Sequence, residues 1–289
     1  MPSIEVKDAA DIVANTVRAA DRDRYLATLY APQDKRDALF ALYAFNAEIA
    51  GVRDRIHEPL PGEVRLQWWR DLLAGSDPAG AAGHPLAEAL TRAIAAHDLP
   101  RQAFDNYLEA RIFDLYDDPM PSRTDLEGYC GETASALIQL AAMILDREAA
   151  PGFAELAGRA GCAQAMTGLL LLLPLHRSRG QCFVPAEILA AVGSSREEFL
   201  AGNGGQGAGN AVAAMIALAR EHLAAFVAGA ADLPPALRPA FLPLALTGAY
   251  LDKAEAAGAA LLEKTPRLSN LRRHWLLFRH ATQGWPRNG

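Results

Sequence analysis

Apolar residues recur at steps of three and four along most of the chain, and no window alternates with period two between turn signals. That pattern predicts helices throughout and essentially no sheet. Prolines and glycines cut the pattern into lengths. The helices expected are residues 8–30, 35–56 with Asp34 as N-cap, 62–74, 85–97, 102–116, 125–145 and 151–173. A short one at 186–192 and three more at 211–230, 235–263 and 268–282 follow. Loops are expected at 75–83 and, from its glycines, at 202–209. Residues 233–243 are too rich in proline for one regular helix. The five leucines 169–173 leave no polar side, so they predict burial all round or a wall against lipid. With no internal repeat and no long linker, residues 1–289 are expected to form a single all-α domain.

Composition sharpens this picture. Half of the 289 residues are hydrophobic, enough for a substantial core, and the wealth of Ala and Leu favours helix over strand. A net charge of −6 speaks against nucleic acid as the main partner. The opening MPSIEVKDAAD has no apolar signal region, and the longest apolar run, residues 163–175, is too short to span a bilayer. These features predict a cytoplasmic protein with no transmembrane segment, resting at most on the face of the inner membrane. Cys130, Cys162 and Cys182 have no CxxC spacing, which fits reduced, buried thiols.

Two stripes bear on chemistry. Tyr43, Ala47, Ala50 and Asp54 follow steps of four, three and four, which places them on one helix face. Ala165, Gly168, Leu172 and His176 form a second stripe, which Pro174 bends. Carboxylates on two such facing stripes would hold Mg²⁺ against a diphosphate, since Mg²⁺ takes oxygen ligands. Here the second stripe has no carboxylate at all. The remaining pair on the first helix, Glu48 and Asp54, lies about 240° apart and cannot chelate one metal together.

The segments around these stripes resemble the squalene/phytoene synthase family. YAFN at 43–46, QWWRDLL at 67–73, HPLAEAL at 84–90, LEGYCGETAS at 126–135 and the GCAQAMTG…GQCFVPAEIL block at 161–189 stand in family order. Active members resemble YAFCR-x-x-DD-x-x-D in the first block. Here the arginine position is Ala47, the first two aspartates are Ala50 and Gly51, and Asp54 alone is kept. They resemble Q-x-T-N-x-x-R-D-x-x-E-D in the second. Here these positions are Ala165, Gly168, Leu171, Leu172 and His176. The substitutions themselves resemble the degenerate branch of the family that includes a mitochondrial assembly factor for respiratory complex I.

The resemblance implies an isoprenoid-synthase-like helical bundle. Its apolar central cavity would be lined by the helices around 43–54, 103–114, 129–140 and 161–173, with Asp114, Leu171 and Leu172 in its wall. It further implies a protein without metal ligands or a catalytic set, acting as an assembly or lipid-binding factor at a membrane complex. An apolar lipid or prenyl ligand and a protein partner are then expected. The other reading is an active head-to-head prenyltransferase using Mg²⁺. Removing one preorganised electrostatic partner slows a reaction by about 10²–10³, and several are missing here.

Other features carry two readings each. His176, Arg177 and Arg179 form an anion site, aided by backbone N–H groups near Ala186, or they merely complement a helix C-terminus. Glu109, Arg111 and Asp114 face a cavity or pair with one another. Glu132 reads as a solvated helix face. Of Trp68 and Trp69, one is expected in the core and one partly exposed. The basic stretch LRRHWLLFR at 271–279 lies on an anionic membrane or, as is favoured, docks Trp275 and Leu276 into the core.

Overall fold

The computed structural model describes residues 4–56, 58–75, 80–202 and 205–286, and the described residues contain helices and no strand. The expected loops at 75–83 and 202–209 lie partly outside these residues. In chain order the helices are α1 (Ile4–Ala20), α2 (Arg22–Thr28), α3 (Gln33–Ala50), α4 (Pro59–Ala74), α5 (Pro85–His97) and α6 (Arg101–Ile112). Then come α7 (Arg123–Cys130), α8 (Ala136–Leu145), α9 (Ala154–Leu171), α10 (Leu173–Ser178), α11 (Ala186–Ala191) and α12 (Arg196–Ala201). The last four are α13 (Gly205–Ala230), α14 (Arg238–Phe241), α15 (Leu244–Ala257) and α16 (Asn270–Gln283). They fall into two compact units. The first comprises residues 1–115, 136–154 and 234–243, the second 116–135, 155–233 and 244–289.

In the first unit α3 is the centre, packed by α1, α5, α6 and α8. From Leu39 to Asn46 every side chain is buried, so this helix has no solvent face over two turns. Phe45 anchors it, with ring centroids 5.1 Å from Trp69, 5.7 Å from Phe104 and 5.4 Å from Tyr107. Burying one such ring contributes about 1.5–3 kcal/mol. Trp69 is fully buried and Trp68 half-buried, as expected.

Two boundaries differ from the periodic reading. The helix expected over 8–30 breaks at Asp21, whose carboxylate accepts the Arg24 N–H at 2.9 Å and caps α2. The helix expected over 35–56 begins at Gln33, with Asp34 in its first turn, and ends at Ala50. Residues Arg53–Arg55 form a separate 3-10 turn, so Asp54 is exposed and leaves the stripe of Tyr43, Ala47 and Ala50.

In the second unit α13 is the centre, against α11, α12, α15 and the 3-10 turn Gly258–Leu262. It begins at Gly205, inside the glycine-rich segment expected to loop, because tertiary packing overrides low propensity there. The stretch Gln206–Ala230 is long and apolar enough to cross a membrane, which the sequence reading did not foresee. Here it serves as a core helix. Val212, Met215, Ala219, His222, Phe226 and Ala230 are buried at helical steps, and mid-helix Arg220 pairs with Asp252 and Glu255.

The expected helix 125–145 is also interrupted. Between α7 and α8 the backbone widens into a π-helical turn, Gly131–Ser135, where the chain passes from the second unit to the first. Within the second unit, α9 crosses this turn at Gly161, so closely that a Cβ there would collide with the Ser135 backbone.

Candidate functional site

The first motif places its residues in a buried polar cluster of the first unit. Tyr43 lies under the Arg24 guanidinium, 5.7 Å from ring centroid to Cζ, and Arg24 pairs with Asp21 at 2.5 Å. Beside it, Tyr107 donates its hydroxyl to Asn46 Oδ1 at 2.8 Å and accepts from Arg111 Nε at 3.2 Å. Arg111 in turn pairs with Asp114 at 2.8 Å, the pair foreseen from the sequence. Burial pushes the Tyr43 phenol up to about 12, although the Arg24 charge pulls it down. Burial raises Tyr107 too, against Arg111. Both phenols are neutral, and the Tyr107 bond to Asn46 ties α6 to α3.

The two surviving carboxylates have other work. Glu48 accepts from Arg65 and from Trp69 Nε1 at 3.2 Å, so it is tied to α4. Asp54 stands on the exposed 3-10 turn. Ala50 is exposed and Gly51 caps α3, and neither offers a side-chain oxygen. Among the described residues no three His, Cys, Asp or Glu side chains are grouped to hold a metal ion. These residues do not fit a Mg²⁺–diphosphate cluster, which needs several carboxylates on each stripe.

The second motif lies on α9 and α10 of the second unit. Pro174 cannot continue α9, whose last residue is Leu171, and Leu172 turns the chain into α10. The Leu171 carbonyl accepts from Thr265 Oγ1 at 2.7 Å. Leu172 is 45% exposed, which corrects the expectation that residues 169–173 are buried all round. His176 is buried beside Phe183, with ring centroids 4.7 Å apart. Across the bend the helical ladder continues, with the Leu172 N–H donating to the Gly168 carbonyl at 3.0 Å and the His176 N–H to the Leu172 carbonyl at 2.9 Å.

The basic turn is also corrected in part. Arg177 Nε donates to the Leu200 carbonyl at 2.6 Å and Nη2 to the Ala201 carbonyl at 2.7 Å. Its Nη1 reaches the Leu262 carbonyl at 3.5 Å. Arg177 thus satisfies the open carbonyls ending α12, beside Gly202 at φ 73°. The Ala186 N–H, expected to face an anion, donates to the Met120 carbonyl at 2.8 Å. Arg179 is half-buried and has interactions of its own.

Sequence reasoning missed two groups of partners. Asp21 and Arg24 complete the Tyr43 cluster, and the DRDR string preceding Tyr25 was their only signal. Glu127 of α7 joins Arg123 at 2.7 Å and buried His222 of α13 at 3.1 Å. Burial would raise the Glu127 carboxyl, yet the hydrogen bonds from Arg123 and His222 outweigh it and hold it below its usual range. Beside this pair, a hydrogen bond from Cys130 lowers the Cys162 thiol, and all three cysteines are buried and unbridged.

Comparison with known proteins matches residues 17–275 to the squalene/phytoene synthase family model. Curated relatives include NADH dehydrogenase (ubiquinone) complex I, assembly factor 6, from Homo sapiens. It is 29% identical over 242 residues, covering 82% of this chain and 71% of the relative. The 15-cis-phytoene synthase of Synechocystis sp. is 24% identical, covering 70% of this chain and 63% of its own. Among solved structures, squalene synthase HpnC from Alicyclobacillus acidocaldarius superposes with a TM-score of 0.74 at 20% identity, over 89% of this chain and 96% of that one. A dehydrosqualene synthase with bound ligand gives 0.77 at 17% identity, over 95% and 96%. The all-α fold is thus that of the isoprenoid synthases, and the chain belongs to the squalene/phytoene synthase family.

Proposed function

We propose that this chain is a non-catalytic accessory factor for assembly of a respiratory NADH dehydrogenase, working peripherally at the membrane that holds the complex. One observation carries the reading. The chain is 29% identical to the human complex I assembly factor 6 across 82% of its length, while the first diphosphate-metal block keeps only Asp54 and the second keeps no carboxylate. The occupied state of Glu48 and the capping role of Arg177 support it, since neither group is held open for a diphosphate. An apolar lipid or prenyl chain is the ligand class that such a fold would retain.

Two experiments test this reading. Purified protein with Mg²⁺ and farnesyl or geranylgeranyl diphosphate is expected to give no head-to-head product. Protein-dependent squalene or phytoene would restore the prenyltransferase reading that the Synechocystis relative represents. Affinity isolation from its host under gentle conditions is expected to recover NADH dehydrogenase subunits in partly assembled form. Recovery of none would overturn the accessory role.

A further inference from the structure

α16 is the most water-exposed apolar feature of the second unit. Leu271 is 82% exposed, Trp275 58% and Phe278 52%. At about 100° per residue these three fall within a sector about 60° wide, so they form one ridge along the helix. The opposite side docks, with Leu277 buried and Arg273 donating to the Tyr250 hydroxyl at 3.0 Å. The expectation that Trp275 and Leu276 dock into the core is corrected for Trp275, which points to solvent, while Leu276 is half-buried and Leu277 buried. A large aromatic left out of the core by a docked helix needs another apolar or interfacial partner.

The charge around the ridge says which. α16 contains Arg272, Arg273 and Arg279 and no acidic residue, although the whole chain carries a net charge of −6. Arg272 and Arg279 flank one side of the ridge and His274 the other, by the same helical geometry. Among the described residues Arg272 makes one long ionic contact, to Asp252 at 3.8 Å between half-exposed groups. A 14-residue helix is about 21 Å long. That is too short to cross a bilayer but suited to lie flat on one. Leucine, tryptophan and phenylalanine on one side with arginines at the rim is the arrangement that places apolar groups among acyl chains and cations at lipid phosphates.

We infer that α16 is the membrane-contacting element of this protein, with Leu271, Trp275 and Phe278 entering the interfacial layer of an anionic bilayer and Arg272 and Arg279 meeting its phosphates. The inference rests on the peripheral-membrane reading and adds the surface that makes the contact. Its test is co-flotation of the full chain with vesicles of phosphatidylcholine alone or mixed with phosphatidylglycerol, beside light scattering for oligomeric state. The expected result is binding to the mixed vesicles, loss of it at high salt, and a drop of about tenfold or more in the Leu271→Gln, Trp275→Gln, Phe278→Gln triple variant. Trp275→Phe should still float, yet lose most of the fluorescence quenching by brominated lipid. Thermal melts of each variant check that it is folded.

Three outcomes would overturn the inference, and they separate its causes. Equal binding by the wild type and the triple variant would leave the peripheral reading standing and remove α16 from it. No vesicle binding by the wild type would reject lipid as the occupant without touching the assembly role, since no complex is present in the assay. A dimer that the triple variant dissociates would identify the occupant as a second copy of this chain.

Discussion

Asn46 accepts the Tyr107 hydroxyl at 2.8 Å across 61 residues of sequence, in the buried interior of the first unit. Arg111 Nε donates to the same hydroxyl oxygen at 3.2 Å, so the bond is one link of a buried network. Replacing Tyr107 with Phe removes the donor to Asn46 and the acceptor for Arg111 Nε. The expected loss of stability is about 1–3 kcal/mol by denaturant titration, because a buried amide oxygen is left without that partner. The Asn46→Ala, Tyr107→Phe pair should be less than additive. A change of only a few tenths in Tyr107→Phe would refute the network.

Gly161 and Gly168 lie on the same helix and should respond oppositely to alanine. At Gly161 the new methyl would meet the backbone of Ser135, whereas at Gly168 nothing lies within 4 Å. Gly161→Ala is expected to destabilise by about 1–3 kcal/mol through overpacking. Gly168→Ala should stabilise by about 0.5–1 kcal/mol through helix propensity. Equal effects would mean that α9 does not touch the π turn as described.

Arg177→Ala should lower the melting temperature, since it leaves the carbonyls of Leu200 and Ala201 without their donors. About 1–3 kcal/mol is expected. Pyrophosphate affinity, read by isothermal titration, should not change. A weakened affinity at unchanged stability would reinstate the anion site.

Much of the fold was legible, and the misses share a cause. α5 was read at both ends because Pro85 opens it and its apolar face repeats cleanly. The break after Leu171 was legible from Pro174. The break at Asp21 was not, because only the side chain's local hydrogen bond distinguishes it from a solvated helical position. α12 was overlooked although Ser195 and Glu198 form a capping box, a signal that the periodicity search did not weigh. Asp54 was carried too far along its stripe because spacing alone cannot register the end of a helix. At the site, the expected pairing of Arg111 with Asp114 is local in sequence. Tyr107 with Asn46 and Glu127 with His222 are not, and no period encodes them.

Acid should weaken the second unit through Glu127. Its folded carboxyl titrates below the ordinary range. The ion pair's contribution is therefore complete above the unfolded value of about 4.3 and is lost as pH falls through the lower, folded value. Melting temperature against pH should show a steeper acid limb for the wild type than for Glu127→Gln. Parallel curves for the two proteins would remove Glu127 from the acid response.

Ala50 is the last residue of α3, Gly51 follows it, Leu172 follows the last residue of α9, and His176 lies in the last turn of α10. Ala50, Gly51 and His176 thus stand at the C-terminal ends of helices, where the backbone presents about half a negative charge, whereas Leu172 is also the N-cap of α10. Aspartates there would oppose their own helices, by about 0.3–1 kcal/mol each, until a divalent cation arrived to reconcile them. Alanine and glycine remove that conflict, and histidine reverses it. At these helix ends the side chains therefore agree with the backbone dipole without a counter-ion.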